Sequence, residues 1–178
     1  MVEGIKHTLS WYVHDNKLSP KTPAVISDII NKVKNIFGYL SVVRGNNNIF
    51  LGVNIEIKDN IIQVDMVKQL EECITIFGED FSTTFKSPAT KKLFEVRKDS
   101  EKLLENKGDL FHSVLAKLLL MIKKSRPDLE TSVSSLMTIV SNINVDDWGK
   151  MKRILRFVNC TLKSKRVFGA TNLDEIFT

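Results

Sequence analysis

The sequence has little cysteine. Cys73 and Cys160 are the two cysteines among 178 residues, and they lie too far apart to form the paired spacing of a zinc site. A disulfide framework needs more cysteines than this, so we expect two reduced, partly buried thiols in an intracellular protein.

Long apolar runs are also missing. The longest, Val114–Ile122, is interrupted by Lys117 and falls short of the roughly 18 residues that a membrane-spanning helix needs. The N-terminus has no basic segment followed by a hydrophobic stretch and a small-residue cleavage site, which is the pattern of a secretory signal. We therefore expect neither secretion nor a membrane partner.

Common catalytic signatures are absent too: the sequence has no glycine-rich phosphate loop and no nucleophile elbow. What it does have is a composition of 43% hydrophobic and 26% charged residues, which is ordinary for a globular protein. The net charge is +5, and most of the excess lies beyond residue 108. A basic balance favours a polyanionic partner, although a solvated basic face explains it equally well.

The first third of the sequence predicts a hairpin followed by a helix. Residues 5–13 suit a strand, Asp15–Lys17 a turn, and the residues after it a short return strand. Thr22 is placed to cap a helix that opens at Pro23, and apolar residues then recur at helical spacing until Gly38 stops it.

The next segment predicts a three-stranded antiparallel meander and a second helix. The strands are expected at 39–44, 49–58 and 61–64, because turn-forming residues separate these apolar stretches. Asp65 can cap the helix, which Gly78 ends.

The last third predicts three helices with short breaks, typical of a small bundle. Pro127 opens the second of them, and Asp146 or Asp147 caps the third. The expected fold class is α+β: a lobe of hairpin, helix, meander and helix, followed by an all-α lobe. The domains are expected at 1–80, 81–108 (a connection), 109–165 and 166–178 (a tail).

Several short motifs occur in a recognisable order. Tyr-Val-His-Asp at 12–15 lies between two predicted strands, and Phe-Leu-Gly at 50–52 opens an apolar stretch. Phe77-Gly78 is followed by Ser87-Pro88, and Arg-Pro-Asp at 126–128 precedes Trp148 and the basic stretch 152–161. Together these blocks resemble the C-terminal part of the reverse transcriptase of copia-type LTR-retrotransposon polyproteins, over roughly residues 8–165.

The resemblance implies a fold and a boundary. Residues 1–66 would be the closing part of a polymerase palm with its primer-gripping hairpin, and 109–163 the thumb, a thumb-like three-helix bundle. The fingers and the first half of the palm would lie before Met1, and the ribonuclease H domain beyond Thr178. The chain would then be a fragment that does not polymerise nucleic acid by itself.

The chemistry of the Tyr-Val-His-Asp segment points the same way. Polymerases of this family hold two Mg²⁺ ions with a carboxylate from an upstream strand and two from this turn. Here His14 stands at the position of a lost aspartate, and imidazole is a poor Mg²⁺ ligand. Asp15 alone remains as a vestigial Mg²⁺ ligand, so no cofactor is expected for this chain, although the parent family uses Mg²⁺.

Contact with nucleic acid is the property that could persist. By resemblance, Phe50, Leu51 and Gly52 would lie at the primer grip, and Ala116 with Lys117 on a helix that follows the minor groove. The last helix offers a further basic face formed by Lys150, Lys152, Arg153 and Arg156, of which the first three are the expected phosphate contacts. A solvated helix face is an equally good interpretation of this set, and any binding would be weak and sensitive to salt.

Three functions stay open at this point. The first is an inactive polymerase fragment with residual primer–template binding. The second is a non-catalytic nucleic-acid-binding module derived from a transposable element. The third is a protein-interaction domain that associates with an intact reverse transcriptase, which predicts exposed apolar surface on the partial palm.

Overall fold

A computed structural model describes residues 8–13, 15–19, 23–59, 61–97 and 99–169. It contains helices and antiparallel sheets, so the protein is of mixed α+β class, as the sequence predicted. Two compact units divide the chain, Met1–Ile62 with Phe168–Thr178, and Gln63–Val167. No helix within the described residues has the length and apolar character to cross a bilayer.

The first unit begins with a hairpin whose turn was predicted wrongly. Strands β1 (Thr8–Tyr12) and β2 (Asp15–Ser19) are antiparallel, and Tyr12 pairs with Asp15. Two residues therefore connect the strands, and the first of them, Val13, has a φ of 48°. Asp15–Lys17, expected to form the turn, belongs to β2, because the tight two-residue connection places the reversal earlier in the chain.

The first helix, α1, spans Pro23–Phe37 as predicted. Its stop is also confirmed: Gly38 has a φ of 82°, and its N–H donates to the carbonyl of Lys34 over 2.8 Å. Glycine tolerates this left-handed conformation, which ends the helix. Thr22, the expected cap, lies outside the described residues.

The meander is present, but its strands differ from those expected. The strands are β3 (Asn47–Phe50), β4 (Val53–Lys58), β5 (Ile61–Asp65) and β6 (Arg166–Gly169). They form a four-stranded sheet in the order β3-β4-β5-β6. Residues 39–44 are not a strand, and the stretch 49–58 is interrupted at Leu51 and Gly52, whose φ values are 51° and 76°. Two successive residues of positive φ make a tight hairpin turn that matches strand twist, so one expected strand becomes two.

The second unit is built mainly from four further helices. They are α2 (Val67–Phe77), α3 (Glu105–Lys124), α4 (Glu130–Thr138) and α5 (Val145–Cys160). Helix α2 contacts α3 and α5, and α4 also contacts both. Short 3₁₀ turns at Pro127–Leu129 and Val140–Asn142 flank α4.

The cap of α5 corrects the sequence interpretation. Asn144 is the N-cap: its side-chain oxygen accepts from the Asp147 N–H over 3.0 Å, and its own N–H donates to the Asp147 carboxylate over 3.3 Å. Asp147 is thus the third helical residue of a capping box, and Asp146 lies in the first turn. Asp147 therefore accepts a hydrogen bond from the N-cap residue. Asp146 places a negative charge near the positive end of the helix dipole. Neither residue is the cap itself.

The core belongs to the second unit. Among the described residues, every buried apolar side chain lies between Val64 and Val158. The first unit instead exposes large apolar side chains on its hairpin, on α1 and in the segment after it. These include Leu9, Trp11, Tyr12, Ile36, Phe37 and Tyr39, and Tyr39 is 89% exposed.

The two cysteines differ in environment. Cys73 is buried in α2 as a free thiol, whereas Cys160 at the end of α5 is free and exposed, in contrast to the partial burial expected for both. Burial raises the pKa of the Cys73 thiol to about 11, although the nearby Lys117 opposes the shift. Because the thiolate is the reactive form, the two should differ strongly in reactivity.

We expect a thiol reagent at neutral pH to modify Cys160 promptly and Cys73 only after unfolding. The measurement is mass spectrometry of the chain after timed labelling, with and without denaturant. A Cys160→Ser variant is the control and should take up no label while folded. Rapid modification of both thiols in native buffer would show that α2 opens readily and would contradict this expectation.

Candidate nucleic-acid interface

The hairpin presents one carboxylate, Asp15, which the sequence predicted to be a vestigial Mg²⁺ ligand. Asp15 opens β2 and is exposed, while His14 lies outside the described residues. Across the part of the chain that the structure describes, no three His, Cys, Asp or Glu side chains come together as a possible metal site. A single exposed carboxylate binds Mg²⁺ poorly, since the ion keeps its water unless several oxygens replace it.

The Phe-Leu-Gly block forms the turn between β3 and β4. Phe50 pairs with Val53 across the hairpin, and Leu51 and Gly52 are the two turn residues. All three of these predicted contact residues are half-buried. The structure thus places them together at one hairpin end.

The predicted contact residues of α3 lie on its outer side. Ala116 is exposed, and Lys117 is half-buried, with its ammonium 3.9 Å from the carboxylate of Glu72. Because alanine projects little from the helix, a ligand can approach the α3 backbone closely at this position.

The basic residues of α5 have partners within the chain. Lys150 donates to the carbonyl of Glu95 over 2.7 Å and lies 3.0 Å and 3.3 Å from the carboxylates of Asp147 and Asp146. Lys152 forms an ion pair with Glu79. These lysines therefore hold the connection between α2 and α3 against α5, which leaves little of their charge for an external phosphate.

Arg153 has a different environment. Its guanidinium carbon lies 4.3 Å from the ring centroid of Phe85, a cation–π contact. Among the described residues, no carboxylate forms an ion pair with Arg153. Of the three α5 residues predicted to contact phosphate, Arg153 is the one whose charge is not neutralised.

Sequence reasoning placed Arg156 on the basic face of α5 but missed the path of the connection. Arg156 lies one turn beyond Arg153 and its guanidinium carbon is 5.7 Å from the same Phe85 ring. The spacing of three residues signals that both arginines share a helix face. Nothing in the sequence indicated that residues 79–100 fold back along that face.

Two distant motif blocks meet at Arg126. This side chain is 2% exposed and donates to both carboxylate oxygens of Asp128, over 2.9 Å and 2.7 Å. It also donates to the hydroxyl and the carbonyl of Thr161, over 2.8 Å and 3.2 Å. The Arg-Pro-Asp block thereby fixes the start of α4 to the end of α5.

A second pair of blocks meets at Trp148. Its ring stacks on Phe77 with centroids 4.2 Å apart and planes at 20°. The indole N–H donates to Glu79 over 3.1 Å. The hydrogen bond from Lys152 is the main cause that holds the pKa of Glu79 below its ordinary value, and the Trp148 bond acts in the same direction.

No protein-family model matches the sequence, and no solved structure matches the fold.

Proposed function

We propose that this chain carries the closing part of the palm and the thumb of a copia-type reverse transcriptase, and that it does not polymerise nucleic acid by itself. The observation that supports this most is the contact between motif blocks. Arg126 bonds to Thr161, 35 residues away, and Phe77 stacks on Trp148. These contacts support the proposal because blocks that belong to one ancestral fold are expected to pack against each other inside one folded unit.

The absence of polymerase activity follows from the ligand chemistry. Two Mg²⁺ ions must activate the primer hydroxyl and stabilise the departing pyrophosphate. The hairpin supplies Asp15, and the position before it is His14. One carboxylate does not hold two such ions, because each requires several hard oxygen ligands.

The remaining property is weak binding of a primer–template duplex. The outer face of α3 around Ala116 would approach the duplex, and the β3–β4 turn at Phe50–Gly52 would contact the primer. Such binding is largely a phosphate interaction and falls as salt rises, with a slope of about −0.9 per phosphate contact.

We expect Ala116→Glu to weaken binding of a labelled primer–template duplex at least about fivefold, because it places a negative charge where phosphates approach. The measurement is fluorescence anisotropy across a salt series. Ala24→Glu is the matched control, since Ala24 is also an exposed helical alanine, and it should bind as the parent chain does.

Three results would count against the proposal. Equal binding by the Ala116→Glu variant would remove α3 from the interface, and absence of duplex binding at low salt would remove the interface altogether. Primer extension by the purified chain in Mg²⁺ would show that it is an active polymerase.

A second candidate function is association with an intact reverse transcriptase. The exposed apolar side chains of the first unit favour it, since Trp11 and Tyr12 on the hairpin are 58% and 59% exposed. Large apolar side chains that are exposed in this way are typical of interaction sites. A stable hetero-complex in sedimentation velocity, abolished in a Trp11→Ser, Tyr12→Ser variant, would favour this function over duplex binding.

A further inference from the structure

A groove runs between α5 and the connection that folds back along it. It has a volume of about 650 Å³, and its walls come from residues 85–100 on one side and 145–156 on the other. A volume of this size is in the range of small-ligand sites, about 300–1,000 Å³. All of it lies within the second unit.

The connection is held against α5 at both ends of the groove. At one end, the side-chain amide of Asn144 donates to the carbonyl of Arg97 over 3.0 Å, and the Val145 N–H donates to the carbonyl of Glu101 over 2.9 Å. At the other end, Arg153 rests on the ring of Phe85. The groove is therefore present before any ligand arrives.

The lining is strongly basic. Six of its side chains are lysine or arginine, against the two acidic side chains Glu95 and Asp146. Internal ion pairs account for Lys150 and Lys152. The basic lining residues that remain are Lys92, Arg97, Arg153 and Arg156, and no described carboxylate forms an ion pair with any of them.

Arg153 and Arg156 are the centre of this charge. The Nε atoms of both are buried and have no hydrogen-bond partner. Arg156 makes one hydrogen bond, of 3.4 Å, to the carbonyl of Asp80. Asp80, which is exposed, attracts Arg156 but forms no ion pair with it. Two like charges on one helix face, partly buried and with no described carboxylate in an ion pair with either, favour the binding of an anion.

The ring of Phe85 fixes the geometry of the pair. Both guanidiniums lie against it, at 4.3 Å and 5.7 Å from the ring centroid. A guanidinium held on an aromatic ring loses little further freedom on binding, and its fork matches the oxygens of a phosphate group.

From these observations we infer that the groove binds phosphate groups of a single polynucleotide strand, with Arg153 and Arg156 as the principal contacts. A volume of about 650 Å³ suits a few nucleotides of one strand rather than a duplex, and Lys92 and Arg97 line the same groove. The inference rests in part on the proposed function, because Arg153 is also one of the residues predicted from the sequence to contact nucleic acid.

Gly149 provides a way to close the groove without removing charge. It lines the groove in the second turn of α5, and a Cβ added there would meet no atom within 4 Å. A leucine at this position keeps the helix and projects into open space. Gly108 is the matched control, because it is also a helical glycine with nothing within 4 Å and does not line the groove.

The experiment measures binding of labelled oligothymidylate by the full chain across a salt series. Gly149→Leu, and the double variant Arg153→Gln, Arg156→Gln, should each weaken binding at least about tenfold. In the double variant the salt dependence should also become shallower by roughly 1.4, about 0.7 for each phosphate that an arginine no longer neutralises. Gly108→Leu and the charge-matched double variant Lys34→Gln, Lys68→Gln should bind as the parent chain does.

Competition identifies the source of the phosphate. Displacement by unlabelled oligothymidylate at far lower phosphate concentration than by thymidine triphosphate or orthophosphate supports a strand, and equal displacement would overturn that assignment. Unchanged binding by the Gly149→Leu variant would refute the groove as the binding site. Equal weakening by the Lys34→Gln, Lys68→Gln control would refute it too. The duplex result with Ala116→Glu is separate, so either inference can fail alone.

Discussion

Replacing Trp148 with alanine is expected to lower the free energy of unfolding of the helical unit by about 3–5 kcal/mol, the usual cost of removing a large buried aromatic ring. Trp148 is 8% exposed and stacks on Phe77 at 4.2 Å. Its removal would leave a cavity between α2 and α5. It would also remove the hydrogen bond that the indole N–H donates to Glu79. The measurement is urea unfolding followed by far-ultraviolet circular dichroism.

Two variants separate the causes of this effect. Trp148→Phe keeps an aromatic ring on Phe77 and loses the hydrogen bond, so it should cost less than the alanine variant. Trp11→Ala makes the same substitution on the hairpin, where the side chain is 58% exposed, and should change the unfolding of the helical unit by less than about 0.5 kcal/mol. Equal destabilisation at Trp148 and Trp11 would refute the role given to the stack.

Arg126→Ala is expected to lower the same free energy by about 2–4 kcal/mol. The substitution removes two hydrogen bonds to Asp128 and two to Thr161. The Arg126 side chain that makes them is buried. Because Asp128 is 44% exposed, water can solvate its carboxylate after the change, which keeps the destabilisation below that of a fully buried ion pair.

The controls test whether the hydrogen-bonding fork is what matters. Arg126→Lys keeps the charge but not the planar fork, so it should recover little of the stability. Arg44→Ala is the matched exposed substitution, since Arg44 makes one bond of 3.3 Å to Ser27, and it should have almost no effect. Full recovery by lysine would mean that charge alone stabilises this link.

Much of the helical structure was predictable because its signals are local. The stops at Gly38 and Gly78 were read correctly, since both residues adopt positive φ, which glycine tolerates without a steric penalty. Burial in α2 also follows helical spacing: Leu70, Cys73 and Phe77 are buried. The positions of the turns in the first unit were harder to predict from the sequence, because several polar residues there could adopt positive φ. In the structure, Val13 and Leu51 adopt it instead.

The candidate site was predictable in its residues but not in their partners. The sequence placed Lys150, Lys152 and Arg153 on one basic helix, and α5 carries them. It could not indicate that Glu79 and Glu95 come from a distant connection to engage the two lysines. These contacts span 73 and 55 residues, and no periodicity in the sequence encodes such separations.

The sequence by itself determined the mixed class, the positions of most helices and the single carboxylate of the Tyr-Val-His-Asp segment, since composition, helical spacing and ligand identity are properties of the chain. The tertiary structure decided which charges remain available. It neutralised Lys150 and Lys152, left Arg153 and Arg156 together against Phe85, and buried Arg126 as a link between helices. The physical reason is that the strength of a charge depends on its neighbours in space, which only the folded chain brings together.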